Sequence, residues 1–236
     1  MKTIAKLILV SIVFLTMNTL NANKLNKVND TVEITKPFTS IDIDGAFTVI
    51  IKQGEIENIL IEADDKMKPY IKSSVKNNKL KIRLKTRFGS NEIKEIKLHI
   101  TIKDLESLKL SGFINLEVSE QLDLEELILN FSVAVKGNFN SITESLTCKI
   151  SSFSKIELSG ITNHLILNKN DASSVDALKL KSKNVSIQSS GFGTINVLAI
   201  RNLNVKSSGA VKIAYVGNPN ITEMDMKGFS TLKKLK

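Results

Sequence analysis

A short frame that returns about every 19 residues is the feature that most constrains this fold. The frame has an apolar residue, a gap, a small residue and, four positions later, another apolar residue. It lies within segments in which apolar and polar residues alternate, the period of a β-strand. Its third position falls at Gly112, Phe131, Ser152, Gly191, Gly209 and Gly228. The step from Ser152 to Gly191 equals two units, which predicts one more corner within 168–175.

Alternation of period two dominates the chain after residue 30, as in Ile96, Leu98 and Ile100. Helical patterns are scarce. One segment, 64–75, predicts a short helix or turn, because Asp64 or Asp65 can cap it and Pro69 follows early. The sequence therefore predicts an all-β protein.

Stacking explains how so short a unit can fold. A unit of about 19 residues with two short strands cannot bury its apolar face alone, whereas equivalent units stacked about 4.8 Å apart can. We therefore predict a parallel β-helix or related β-solenoid. The segment 30–107 lacks the frame in clean form, although Gly45 and Phe47 echo the corner, and it predicts a less regular N-terminal β part. The terminal KKLK, 233–236, would guard the other end with charge.

The small residues of the frame are predicted to turn the chain at corresponding corners of successive coils. Glycine permits a positive φ, and serine or asparagine can bond local backbone groups. The predicted corner residues are Gly45, Gly112, Ser152, Gly191, Gly209 and Gly228. Corners in register would bring a column of aromatic residues together: Phe113, Phe153, Phe192 and Phe229. This column either closes one edge of the core or forms an exposed row that docks a partner.

The N-terminal segment 1–22 has the pattern of a secretory signal peptide. Lys2 and Lys6 precede an apolar run over 7–15, and small and polar residues lead to a cleavage site near Ala22. An uncleaved anchor is the alternative. We expect an N-terminal extension over 23–35, one solenoid domain over 36–236, and no transmembrane span in the mature chain. The protein would be exported to the periplasm, the outer surface or the medium.

Charge and cysteine content limit the classes of function. The 33 basic and 24 acidic residues give a formal charge of +9, but the lysines are scattered between apolar residues. A nucleic-acid site would show a basic cluster with aromatic residues, so no nucleic-acid partner is expected. The single cysteine, Cys148, shares a strand face with Leu146 and Ile150 and is predicted to be a small buried apolar residue.

No constellation of residues predicts catalysis, a metal or a cofactor. His99 and His164 are expected on the surface, opposite the apolar face of their strands. Asp42 and Asp44 share an outward face, but a calcium site needs more oxygen ligands than two carboxylates supply. We therefore predict no catalytic, cofactor-binding or metal-binding residues and no enzyme activity.

Three parts of the chain together resemble the head GIN domain family, whose members are described as auto-transporter adhesins of bacterial envelopes. They are IDIDGAFTVIIKQG (41–54), IEADDKMKPYIKSSVKNNKLKIRLK (61–85) and the serial SGF, SSG and KGF corners. The resemblance covers about 36–232. It implies a right-handed β-helix-like fold, export and a role in adhesion, without a shared set of catalytic residues. In this chain phenylalanine often replaces the small residue that follows the corner in the family.

These observations predict an exported, non-enzymatic envelope protein that acts as an adhesion or binding module. Repetitive faces of Ser, Thr, Asn and Lys would meet an envelope or host glycan, or a protein, through many weak contacts. The alternative is a structural envelope component without a specific ligand, or one that self-associates as a homo-oligomer. A polysaccharide-active enzyme on a pectin-lyase-like fold is a third reading, since fold alone does not determine function.

Overall fold

The computed structural model describes the backbone of residues 27–32 and all of residues 36–85 and 95–236. The predicted signal peptide, 1–22, lies outside the described residues. Strands and one short helix form the described chain. The strands are β1 Lys27–Val32, β2 Ser40–Gln53, β3 Asn58–Asp64, β4 Ile71–Lys76, β5 Lys79–Leu84, β6 Lys97–Ile102, β7 Ser107–Val118, β8 Leu122–Asp123, β9 Glu126–Ile150, β10 Lys155–Lys169, β11 Ser174–Ser189, β12 Phe192–Ser207, β13 Ala210–Val216, β14 Asn220–Met226 and β15 Thr231–Lys234.

The greater part of the molecule is a parallel β-solenoid, as the repeat predicts. Strands β2, β7, β9, β10, β11, β12, β13 and β15 follow one another across the sheet, and each pairs in parallel with the next. About six turns, each close in length to the period of the sequence frame, stack between 107 and 234. The all-β class and the solenoid are confirmed.

The N-terminal part is less regular, which is also confirmed. Strand β2 pairs in parallel with β7 on one side and with both β5 and β6 on the other. Antiparallel pairs then follow, β3 with β6, β4 with β5, and β1 with β3. Strand β1 belongs to the segment 23–35, which we expected to be an extension, so the sheet begins before residue 36.

The core is one continuous stack of mainly aliphatic side chains from Phe38 to Ile213. Each coil contributes alternate residues, as Leu127 and Leu129 of β9 illustrate, while the residues between them face outward. Cys148 is completely buried in this stack, as predicted, and burial raises the pKa of its thiol to about 12. Its role is therefore that of a small apolar residue.

The predicted short helix is a single turn of 3₁₀-helix over Lys68–Tyr70, with Pro69 inside it. The Asp64 carboxylate accepts a hydrogen bond from the backbone N–H of Lys66 at 3.0 Å, in the turn before the helix. An aspartate therefore shapes the approach to the helix, while Met67 stands at the N-cap without a side-chain hydrogen bond to the backbone.

Candidate functional site

One corner of the solenoid repeats in register from rung to rung, and we call its residues the corner column. Each has a positive φ, between 57° at Asp171 and 143° at Gly45. Backbone bonds tie the rungs together there, for example from the N–H of Phe153 to the carbonyl of Val133 at 2.9 Å. The column comprises Gly45, Gly112, Val133, Ser152, Asp171, Gly191, Gly209 and Gly228.

One coil departs from the predicted frame, and the corner predicted within 168–175 is found there. The corner of β9 is Val133, with φ at 73°, and not Phe131, which is 2% exposed and part of the core. The sequence frame places this corner two positions too early, because no glycine marks the turn. The corner expected within 168–175 lies at Asp171, whose carboxylate also accepts a hydrogen bond from the backbone N–H of Ser152 at 3.0 Å.

Lys169 holds the Asp171 corner from inside. Its side chain is fully buried, and its ammonium donates hydrogen bonds to the carbonyls of Asp171 at 2.9 Å, Ser190 at 3.1 Å and Phe192. Burial lowers the pKa of Lys169, and the nearby Asp171 carboxylate opposes that shift. Sequence reasoning missed this residue, since alternation continues through Leu165 and Leu167 to an inward position that holds a lysine.

The residue after each corner forms a second column, which we call the Phe/Ala ladder. Phenylalanine and alanine alternate in it from rung to rung. Its four phenylalanines are 73%, 78%, 67% and 88% exposed in chain order, so the aromatic column lies on the surface. Other phenylalanines, such as Phe47 and Phe131, are buried in the core instead. The ladder comprises Ala46, Phe113, Ala134, Phe153, Ala172, Phe192, Ala210 and Phe229.

A polar groove of about 730 Å³ lies on the face just before the corner column. Phe131 and Ile150 contribute to its wall, and the remaining lining is hydroxyl, amide and ammonium groups. The ammonium groups belong to Lys109 and Lys149. The other polar lining residues are Asn130, Ser132, Ser151, Asn168, Asn170, Gln188, Ser189, Ser190 and Ser208.

The composition of the groove decides what chemistry it can perform. Among the described residues that line it are two lysines and no Asp, Glu, His or Cys. Hydrolysis of a polysaccharide typically needs a pair of carboxyl groups within reach of the glycosidic bond that is broken. The groove can donate and accept hydrogen bonds along an extended ligand and attract negative charge, which are the properties of a binding surface.

The aspartates of β2 and the histidines of β6 and β10 lie outside the groove. Asp42 does not share an open surface with Asp44, because the guanidinium of Arg83 covers it, with Nη2 2.8 Å from its Oδ2. His99 is half-buried, with Nε2 3.1 Å from Oε1 of Glu62, whereas His164 is exposed. Within the described ranges, no three of His, Cys, Asp and Glu come together as a metal site would require.

The fold and the groove define a β-solenoid protein with a repetitive polar groove and an exposed aromatic edge. The family model described as "Putative auto-transporter adhesin, head GIN domain" matches residues 37–219. The chain belongs to this family. No curated protein matches it.

Solved structures share the fold. The crystal structure of a "putative adhesin" from Bacteroides fragilis has a TM-score of 0.78 at 19% identity and covers 88% of this chain and 96% of its own. A "putative adhesin" from Parabacteroides distasonis gives 0.67 at 17%, covering 90% and 98%. A "putative lipid binding protein" from the same species gives 0.66 at 19%, covering 89% and 97%. At these identities the likeness establishes the fold alone.

Among the residues that the structure describes, none forms a helix with the length and apolar character that a membrane crossing demands.

Proposed function

We propose that this protein is an exported, non-enzymatic binding module of the cell envelope, and that the polar groove holds its ligand. Membership of a family described as auto-transporter adhesins supports an envelope location and an adhesive role. The observation that carries the proposal is the lining of the groove, in which hydroxyl and amide groups repeat over successive rungs beside Lys109 and Lys149. The described part of this lining contains no carboxylate.

The ligand that fits best is an extended glycan with acidic groups, from the envelope or from a host. The groove extends from the rung of Lys109 to that of Ser208, about 24 Å at 4.8 Å per rung. Repeating hydroxyl and amide groups suit a polymer that presents a hydroxyl at each step, and the two lysines suit its negative charge. Each contact is weak, and the affinity comes from many contacts made at once.

A paired charge experiment tests the proposal. The exported chain, purified after processing, is measured against immobilised acidic and neutral polysaccharides. Lys109→Gln together with Lys149→Gln should weaken binding to acidic polysaccharides at least ten-fold, and added salt should weaken wild-type binding. Lys181→Gln with Lys183→Gln removes the same charge from exposed positions outside the groove and should change binding little. Equal losses in both variants, or no binding of any acidic polysaccharide, would contradict the proposal.

The exposed Phe/Ala ladder favours a second function, self-association. Its four phenylalanines lie outside the groove and make no contribution to the groove lining. Self-association through the ladder and binding in the groove can therefore be tested separately.

A further inference from the structure

Phenylalanine and alanine alternate strictly along the Phe/Ala ladder, so its exposed rings are regularly spaced. Neighbouring rungs lie about 4.8 Å apart, so its phenylalanines stand about 9.6 Å apart with an alanine in each gap. From Phe113 to Phe229 the row is about 29 Å long, and every ring in it is at least two-thirds exposed. A line of exposed apolar rings of this length marks an interaction surface.

We propose that two copies of this chain pair ladder to ladder, with their solenoid axes antiparallel. In this dimer each phenylalanine enters the notch above an alanine of the other copy. The proposal deepens the self-association just described and is independent of the groove and its ligand.

The spacing of the rings fits this arrangement. A ring inserted midway between two rings that stand about 9.6 Å apart lies about 4.8 Å from each. That distance is within the range of about 4.5–7 Å between centroids that aromatic pairs favour. Alanine is the residue that leaves room for the inserted ring, since its side chain is a single methyl group.

Only one antiparallel register uses the whole ladder. When Phe113 faces Ala210 of the other copy, every other phenylalanine also faces an alanine, and a two-fold axis makes the contacts reciprocal. A shift of two rungs in either direction leaves rings unmatched. A parallel arrangement needs a shift of one rung, which leaves a ring unmatched and does not close under a two-fold axis. The remaining pairs are Phe153 with Ala172, Phe192 with Ala134, and Phe229 with Ala46.

Charge on one side of the ladder supports the same register. The outward row just before the corner column begins with Asp44, ends with Lys227 and contains only serine and asparagine between them. In the antiparallel register Asp44 of each copy faces Lys227 of the other. Lys227 already lies 3.1 Å from Asp225 in its own chain, at an exposed position from which it can approach a second carboxylate.

The outward row on the other side of the ladder avoids repulsion in this register. It contains three lysines, Lys136, Lys155 and Lys212, on three different rungs. A shift of two rungs one way brings Lys136 against Lys155, and the opposite shift brings Lys155 against Lys212. The proposed register therefore matches every phenylalanine with an alanine and also avoids placing lysine against lysine. In it the three lysines face neutral residues of the other copy, respectively Thr194, Ser174 and Asn115.

The area is sufficient for a reversible dimer. Full coverage of the exposed parts of eight phenylalanine side chains would bury about 1,200 Å², the lower end of the range for specific protein interfaces. Two-fold pairing also places the grooves of both copies on the same side of the interface, where they would border one shared cleft.

The experiment measures the mass of the exported chain in solution by analytical ultracentrifugation over a range of concentrations. We expect a monomer–dimer equilibrium. Phe153→Ser with Phe192→Ser should raise the dissociation constant at least ten-fold. The matched control, Ile161→Ser with Ile200→Ser, removes two apolar side chains that are 48% and 50% exposed elsewhere and should leave the dimer unchanged. The groove variant with both lysines changed to glutamine should also leave it unchanged, which separates this proposal from the function of the groove.

A cross-linking test examines the register. Ser111 and Ser208 lie five rungs apart in one chain, about 24 Å, but face each other across the proposed dimer. The double variant Ser111→Cys, Ser208→Cys should form disulfide-linked dimers on oxidation, whereas either single variant should not. Cys148 is buried and does not interfere.

Several results would overturn the proposal. They are a wild-type monomer at all concentrations, a dimer that tolerates the loss of Phe153 and Phe192, and cross-linking by a single cysteine variant alone. Loss of binding to a glycan or to lipid vesicles on changing these phenylalanines, with no dimer in the wild type, would identify the ladder as a ligand surface and also overturn it.

Discussion

The carbonyl oxygen of Gly191 lies 2.4 Å from the position that a Cβ atom on Gly209 would occupy. The same oxygen accepts a hydrogen bond from the N–H of Ala210 at 2.8 Å, so the two rungs cannot separate without losing this bond. Gly209 also has φ at 89°, a conformation that side chains rarely adopt. At this corner glycine is required both by backbone geometry and by the closeness of the neighbouring rung.

Gly209→Ala is therefore expected to destabilise the domain by about 1–3 kcal/mol, through backbone strain and the contact with the Gly191 carbonyl. Urea unfolding of Gly209→Ala and of the wild type measures the change in unfolding free energy. Gly54→Ala is the matched control, because its added Cβ would meet only a methyl group of Thr101. An equal loss in both variants would contradict the corner assignment.

Val133 occupies the equivalent corner of β9 with φ at 73°, although a β-branched residue is strained there. Its side chain is 41% exposed, so a replacement forfeits only part of its burial. We expect Val133→Asn to stabilise the domain by about 1 kcal/mol, since asparagine tolerates the left-handed region. The measurement is the thermal midpoint, and Val135→Asn, at a buried site on the same strand, should lower it instead. A lower midpoint for Val133→Asn would show that the corner is not strained.

Lys169→Met should destabilise the domain by about 1–3 kcal/mol, because the carbonyls of Asp171, Ser190 and Phe192 would lose a buried donor. Denaturant unfolding measures the loss. Lys149→Met, at an exposed position on the neighbouring coil, is the control for charge and size. If Lys169→Met were as stable as the wild type, the hydrogen bonds of the ammonium would not contribute to stability and the prediction would be wrong.

The difference in unfolding free energy between the wild type and Lys169→Met should increase with pH. Burial lowers the pKa of Lys169 below its usual 10.5, so the unfolded chain holds this proton more tightly than the folded chain. Between the two pKa values the unfolded state binds more protons, and stability rises with pH. The stability gap between the wild type and Lys169→Met should therefore widen as pH approaches 10.5. A gap that narrows over this interval would contradict the direction of the shift.

Cys148 should be unreactive toward a thiol-specific disulfide reagent in the folded protein. It is completely buried, and with a pKa of about 12 it forms little thiolate at neutral pH. Labelling should proceed only as fast as the domain unfolds and should become rapid in denaturant. Fast labelling of the folded chain would show that the stack opens locally around β9.

The solenoid could be predicted from the sequence because the repeated glycines indicate the turns, and the alternation of apolar and polar residues indicates which face of each strand is buried. Gly191, Gly209 and Gly228 mark the same corner on successive rungs, and each lies between alternating strands. Val133 gives no such signal, because a valine in a sequence does not indicate a turn, although its φ is 73°. The antiparallel pairs of β1, β3 and β4 were also hidden, because alternation does not specify the direction of pairing.

The candidate site illustrates how one misaligned coil conceals a pattern. With the β9 corner placed at Phe131, the alternation of phenylalanine and alanine along the edge is not visible. With the corner at Val133, Ala134 falls between Phe113 and Phe153 and the pattern becomes complete. The groove could not be foreseen either, since its lining comes from outward residues of several coils that only the stacking brings side by side.

The pairing of β2 with β7 has a consequence for how the chain acquires its structure. Gly45 and Gly112 are neighbours on adjacent rungs, but the chain between them is much longer than the chain between any two successive later corners. Closing the larger loop costs more chain entropy and delays the first parallel contact between these rungs. During synthesis or translocation from the N-terminus, β2 must wait for β7 to emerge. Each later coil can then add to an existing template as soon as one more unit of the repeat arrives, so growth should be quick once that first closure is made.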